Sequence, residues 1–243
     1  MTSLRKTALV AGVFYLITFI SIPSLALYGP VKTHRDYIIS SGADTGVLWG
    51  GFLEVIVALA GIGTAVTLYP VVKRQNEGIA LGFVATRTLE ATMIFTGVVS
   101  LLSLVTLRQD LGGAAGADAA SLVTTGASLG AIHNWTFVLG QSLTPGINAL
   151  LLGSRMYRSG LVPRVIPLMG LIGAPLLITA TFAQLFGILA QGVGPVAGLA
   201  ALPVAAWEFS LGVYLVVKGF KPSPITAGMV AAGTPPAHGN VAV

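Results

Sequence analysis

The sequence predicts an all-α protein, a polytopic transmembrane helical bundle of about six spans with both termini in the cytoplasm. Three observations carry that prediction. First, of 243 residues 54% are hydrophobic and only 9% charged, with a mean hydropathy of +0.87. Soluble domains carry about 25% charged residues, and a water-exposed surface cannot be built from so few. Second, long apolar runs recur at the length of about 20 residues that a bilayer core requires. Third, lysine and arginine are distributed unevenly between alternate loops.

The spans follow in order. Span 1 is Ala8–Tyr28, behind the Arg5-Lys6 pair, and span 2 is Gly46–Tyr69. Span 3 is Ile79–Leu102, and span 4 is Ala131–Leu152, with a helical lead-in over Ser121–Gly130. Span 5 is Arg164–Ile188 and span 6 is Val196–Lys218. Residues 1–221 thus read as one transmembrane domain. Residues 222–243 are rich in Pro, Gly and Ala, have no apolar period, and read as a disordered cytoplasmic tail. With the N-terminus inside, nine Lys or Arg fall on the cytoplasmic side, three outside, and Arg87 within the membrane. This bias sets the orientation and accounts for the net charge of +5 without nucleic acid. A rival reading takes Arg5-Lys6, the apolar run and Ser24-Leu25-Ala26 as a cleaved signal peptide. It would leave five spans.

Four ionisable residues lie inside spans: Glu54, Arg87, Glu90 and Glu208. Each costs about 2.5–3.5 kcal/mol at a span centre when charged and unpaired. They are therefore expected to face protein and to pair. At a rise of 1.5 Å per residue, all four and Gln141 fall roughly 12–18 Å from a membrane face, so one polar layer is expected to hold them. Arg87 and Glu90, at i and i+3, share a helix face. Glu54 rides a small-residue face with Gly46, Gly50 and Ala58, and Glu208 another with Ala201, Ala205 and Gly212. Asn134, Gln141 and Asn148 recur every seven residues and form a polar stripe on span 4. Spans 2, 3, 4 and 6 are expected inside and span 1, lacking charge and amide, at the periphery. Three carboxylates meet one arginine, so at least one acid is expected to be neutral or to hold a cation, and Glu54 and Glu208 are the acids without an evident basic partner.

Other residues are candidates of a weaker kind. His133 begins span 4 at the outer interface, as a pH sensor or, more simply, as a hydrogen-bonding group. Arg155, Arg158 and Arg164 crowd the loop between spans 4 and 5, where they can hold anionic lipid headgroups or merely set topology. Pro167 and Pro175 can kink span 5. There are no cysteines, which removes disulfides, thiolate metal sites and cysteine nucleophiles. The three histidines are scattered, so no metal cluster is expected, and no cofactor motif is present. GxxxxGK[ST], HExxH and GxSxG are all missing, and enzyme chemistry is not expected.

AIHNWTFVLGQSLTPGINALLLGSRMYRSGLVPRVIPLMGLIGAPLL, Ala131–Leu177, resembles the bacterial membrane-protein family called domain of unknown function 4386. LLLGSRMYRSGLVPR is its most specific part, and RTLEATMIFTG, Arg87–Gly97, looks like the arginine–glutamate span of that family. The resemblance covers about Arg5–Gly219. It implies a compact multi-pass protein of the bacterial inner membrane and supplies no activity. Where the family commonly has an acid after the histidine of span 4, this chain has Asn134.

Two functional classes follow from the residues. One is a small transporter or proton- or cation-linked permeation protein using the Glu/Arg layer. The other is a non-transporting membrane subunit or scaffold whose polar layer only fixes helix packing. Membrane lipids are the expected partners, together with a second copy or a membrane partner protein, and no nucleic acid. The two classes separate on whether a water-accessible cavity reaches the glutamates.

Overall fold

The computed structural model describes residues 2–40, 42–111 and 117–227. Among them the secondary structure is helical, and no strand occurs. The helices are α1 Ser3–Thr18, α2 Ser24–Leu27, α3 Gly29–Thr33, α4 Thr45–Val72, α5 Glu77–Leu111, α6 Ala117–Thr136, α7 Thr144–Ser159, α8 Val165–Leu185 and α9 Pro195–Val217. Five helical segments are long and apolar enough to cross a membrane: Ser3–Leu27, Thr45–Val72, Glu77–Leu111, Val165–Leu185 and Pro195–Val217. The protein is a membrane protein.

The predicted fourth span has a different form. α6 passes without a break into a π-helical segment, Phe137–Leu143, and that into α7. Pro145 lies at the start of α7. It has no N–H to give the carbonyl four residues back, and its ring crowds that carbonyl. A wider π turn relieves both conflicts without ending the helix. Pro175, expected as a kink, lies within an unbroken α8, and Pro203 within an unbroken α9. α7 ends at Gly160, which takes the left-handed conformation (φ 65°) that glycine adopts without a Cβ clash.

The spans form a closed ring in chain order. α1 packs on α4, α4 on α5, α5 on the run from α6 to α7, α7 on α8, α8 on α9, and α9 back on α1. Span 1 is thus not peripheral. α1 presents Ala8, Ala11 and Tyr15 to the interior, all fully buried. Its approach to α9 depends on glycine: a Cβ added at Gly12 would stand 2.7 Å from the Gly212 carbonyl oxygen. The expectation failed because it looked only for polar groups, whereas close packing in lipid is driven by small residues.

We call the end where α1 begins proximal and the other distal. The proximal half holds a continuous apolar core that includes Leu68, Phe83, Leu152, Met156, Trp207, Leu211 and Leu215. Arg5 closes this end, donating to the carbonyls of Leu215 (2.7 Å) and Val216 (2.5 Å). A cation thereby satisfies the orphan acceptors at the C-terminus of α9. Residues 228–243, most of the predicted disordered tail, lie outside the described residues. Before them, Pro224–Thr226 forms a 3₁₀ turn with Thr226 buried.

At the distal end, Arg108 organises the connection between α3 and α4. It donates to the carbonyls of Ser40 (2.9 Å) and Gly42 (3.0 Å), pairs with Asp44, and stacks on Tyr37 with its Cζ 4.4 Å from the ring centroid. Burial pushes the Tyr37 hydroxyl up to about 12, its hydrogen bond to Asp44 adding to the shift. Burial alone would raise the Asp44 carboxyl, but hydrogen bonds from Gln109, Tyr37 and Arg108 outweigh it and hold it below the usual range.

Two tests follow. Gly12→Val should destabilise the protein by about 1–3 kcal/mol through overpacking, seen as a lower melting temperature in detergent, whereas Val13→Ala on the exposed face of α1 should change little. Because the Asp44 carboxyl is depressed, its stabilisation is present above the unfolded value of about 3.9 and is lost as pH falls through the folded value. The melting-temperature gap between wild type and Asp44→Asn should therefore be full at neutral pH and close below about pH 4.

Candidate functional site

The four ionisable residues expected within spans do not share one layer. They divide into a proximal cluster of Arg87, Glu90 and Glu208 and a distal one centred on Glu54. Gly61 of α4 faces the Arg87 side chain, and Glu54 sits two helical turns further along α4, about 10 Å toward the distal end.

Arg87 projects from α5 into the middle of the ring and is 2% exposed. Its Nη1 meets Glu90 Oε2 at 3.0 Å on its own helix. Its Nη2 pairs with Glu208 of α9, across the interior from a helix that is not α5's neighbour. Asn148 of α7 donates to Glu90 Oε2 at 2.9 Å. The guanidinium also lies over two rings, with Cζ 5.5 Å from the Tyr15 centroid and 5.9 Å from that of Phe83. Cation–π attraction is strongest where water is excluded, as here. Trp207 packs edge-on against Tyr15 at 6.5 Å, which explains an indole in mid-span, away from the interface where aromatics usually gather. The space beside this cluster, lined by Thr18, Gly61, Arg87 and Glu90 among others, is about 10 Å³, room for about one water. Glu208, expected to lack a basic partner, therefore has one.

Glu54 of α4 is 2% exposed. Tyr28 Oη donates to its Oε2 (2.9 Å) and Gln141 Nε2 to its Oε1 (3.0 Å). His133 Nε2 stands 3.9 Å from Oε2, and its ring meets that of Tyr28 edge-on at 5.1 Å. Local sequence explains these positions. Gly46 and Gly50 let the turn after α2 approach α4, so that the Tyr28 ring lies against Gly50. Gly97 on α5 similarly admits α6: a Cβ there would stand 3.3 Å from His133 Cδ2. Gln141 belongs to the π segment, whose wider turn redirects it.

Above Glu54 the bundle opens into a distal cavity of about 350 Å³. Its floor includes Tyr28 and His133, both of which touch the Glu54 carboxylate from the other side. Asn134 lines its wall. The polar stripe of span 4 thus touches every level: Asn134 at the cavity, Gln141 at Glu54, Asn148 at Glu90. Its seven-residue spacing matches the two turns that separate the clusters.

Reasoning from sequence singled out Glu54, Arg87, Glu90, Glu208, Gln141 and His133, and each falls in one of the two clusters. Tyr28 and Tyr15 were not singled out, because a tyrosine in a span carries no charge signal. Lys32, which lines the distal cavity, was not singled out either, because a lysine in a loop reads only as part of the charge bias. The three loop arginines lie at the proximal end, away from both clusters: Arg158 and Arg164 are exposed, Arg155 donates to Ser154 Oγ (3.3 Å) and Arg164 stacks on Tyr157 (5.5 Å).

Residues 10–219 match the family model described as "Domain of unknown function (DUF4386)". No curated protein and no solved structure matches the chain.

Removing the guanidinium leaves two buried carboxylates facing one another. Arg87→Met should cost about 3–5 kcal/mol, read as lost thermal stability in detergent, and Glu90→Gln with Glu208→Gln in the same chain should restore part of it.

Proposed function

The chain belongs to the family described as domain of unknown function 4386, and from that premise we propose that it is a multi-pass protein of the bacterial inner membrane, N- and C-termini inside, that moves a small solute together with a proton. Glu54 is the proton site. Tyr28 and Gln141 hold its carboxylate by hydrogen bonds, and Tyr28 and His133, which also line the distal cavity, relay a proton between the two. The observation that carries this reading is the cavity of about 350 Å³ whose floor residues are the hydrogen-bonding partners and neighbours of a buried acid. Intramembrane acids commonly mark such pathways.

The proximal half is packed with apolar side chains, so in this conformation the Glu54 site opens, among the described residues, toward the distal cavity. Passage then requires a second arrangement in which the ring loosens around α7 and α9. The π segment that carries Gln141 is the place where a change of helix register costs least, because its backbone pairing is already irregular. In this scheme Arg87 is a fixed pin, and its carboxylates are not in the path.

A specific observation favours a second reading. The Arg87 cluster is paired internally and nearly without space, as expected of a scaffold or membrane subunit whose polar groups only fix packing. Purified protein in proteoliposomes separates the two. With a pH dye inside and an imposed potential, wild type should carry protons. Glu54→Gln should lower the rate about tenfold or more, as loss of a proton-transferring group does, whereas Glu208→Gln, which keeps an acceptor for Arg87, should stay near wild type. No proton flux in wild type under any gradient would sink the permeation reading and leave the scaffold.

A further inference from the structure

We infer that the distal cavity is a binding site for an oxyanion carrying a small apolar body. The inference deepens the reading above and rests on it in taking this cavity as the working mouth.

The lining shows the charge it wants. Lys32 and Arg35 are the full cations, His34 and His133 add imidazoles, and no aspartate or glutamate lines the cavity. Among the described residues neither Lys32 nor Arg35 has an ion pair within 4.0 Å. This matters because acids are close by. Asp44 is committed to Arg108, Tyr37 and Gln109, and Asp36 lines the neighbouring hollow. The carboxylate whose field reaches Lys32 is Glu54, behind Tyr28. Glu54 is screened from the cavity by the Tyr28 ring it accepts a hydrogen bond from. The Lys32 ammonium is instead held over the rings of Phe137 (5.3 Å) and Tyr28 (5.9 Å), which fixes it over the cavity without neutralising it.

Part of the lining is apolar, with Leu101 and Leu104 of α5 and Ile38. At about 350 Å³ the space is at the small end of ligand pockets. A permanent metal or another cation is excluded by the sign of the lining charges, and a purely apolar guest would leave both cations without a partner. An anion that pairs with Lys32 and Arg35 and rests its apolar part on Leu101 and Leu104 meets both constraints. Such an oxyanion can arrive free in water or as the headgroup of an anionic lipid.

Equilibrium binding to the full chain tests this without any flux. The probes are benzenesulfonate, benzyltrimethylammonium and benzyl alcohol, similar in body and differing in charge. Titration calorimetry in phosphatidylcholine nanodiscs should show benzenesulfonate binding and the other two not. Lys32→Gln with Arg35→Gln, both exposed positions, should weaken it by about tenfold or more, as loss of charge-assisted hydrogen bonds does. Lys73→Gln at the proximal end should have no effect. Repeating the titration in phosphatidylglycerol nanodiscs identifies the source: competition by the lipid assigns a headgroup, unchanged affinity assigns a free solute. Equal binding of benzyltrimethylammonium, or affinity indifferent to Lys32 and Arg35, overturns the inference. Binding without flux would instead overturn the permeation reading alone.

Discussion

The Arg87 guanidinium sits between Glu90 and Glu208 in a medium where an unpaired charge is worth several kcal/mol of insertion energy. Much of the packing around it follows from pairing its two terminal nitrogens. It fixes α5 against α9 across the ring. It requires two aromatic faces, from Tyr15 and Phe83, and so pulls α1 into the core. An amide on α7 gives Glu90 Oε2 a second donor beside the guanidinium. A buried ion network adds little net stability over an apolar core, but breaking it is expensive. Its effect is to permit one arrangement of four helices, which a lipid-soluble bundle of Ala, Gly, Leu and Val would not select alone.

With the arginine's charge taken up by its own pair of acids, the third carboxylate is set apart. Glu54 lies two turns away, held by hydrogen bonds from Tyr28 and Gln141 and, among the described residues, in no ion pair with an arginine or lysine. Fixed organisation and a solitary acid are thus separated along the membrane normal. The dense half supplies a rigid base, and the open half supplies the cavity. That division is why the two functional readings both find support: each describes a different half of the molecule.

Much of this was legible in the sequence. Five of the six expected spans, the Arg87–Glu90 pairing at i and i+3, and the polar stripe of span 4 follow from periodicity and hydropathy, which act locally. What did not follow was set by packing between helices. Depth counting has an error of several residues at each span end, enough to merge two clusters two turns apart into one layer. Span 1 looked peripheral because its contribution is a tyrosine ring and a glycine, neither of which stands out in an apolar run. The π segment was not foreseen, although Pro145 stands in the sequence, because a proline in a span announces a conflict without saying how the helix relieves it.

The central claim is that access from the distal side stops between the Glu54 level and the Arg87 level. The chain contains no cysteine, so single cysteines introduced along the span 4 stripe report access directly. Asn134→Cys, Gln141→Cys and Asn148→Cys, reacted in turn with a membrane-impermeant methanethiosulfonate reagent from the distal side, make the measurement. The account predicts fast labelling at Asn134→Cys, slower labelling at Gln141→Cys and none at Asn148→Cys. Labelling at Asn148→Cys as fast as at Asn134→Cys would show one continuous wet layer and contradict it.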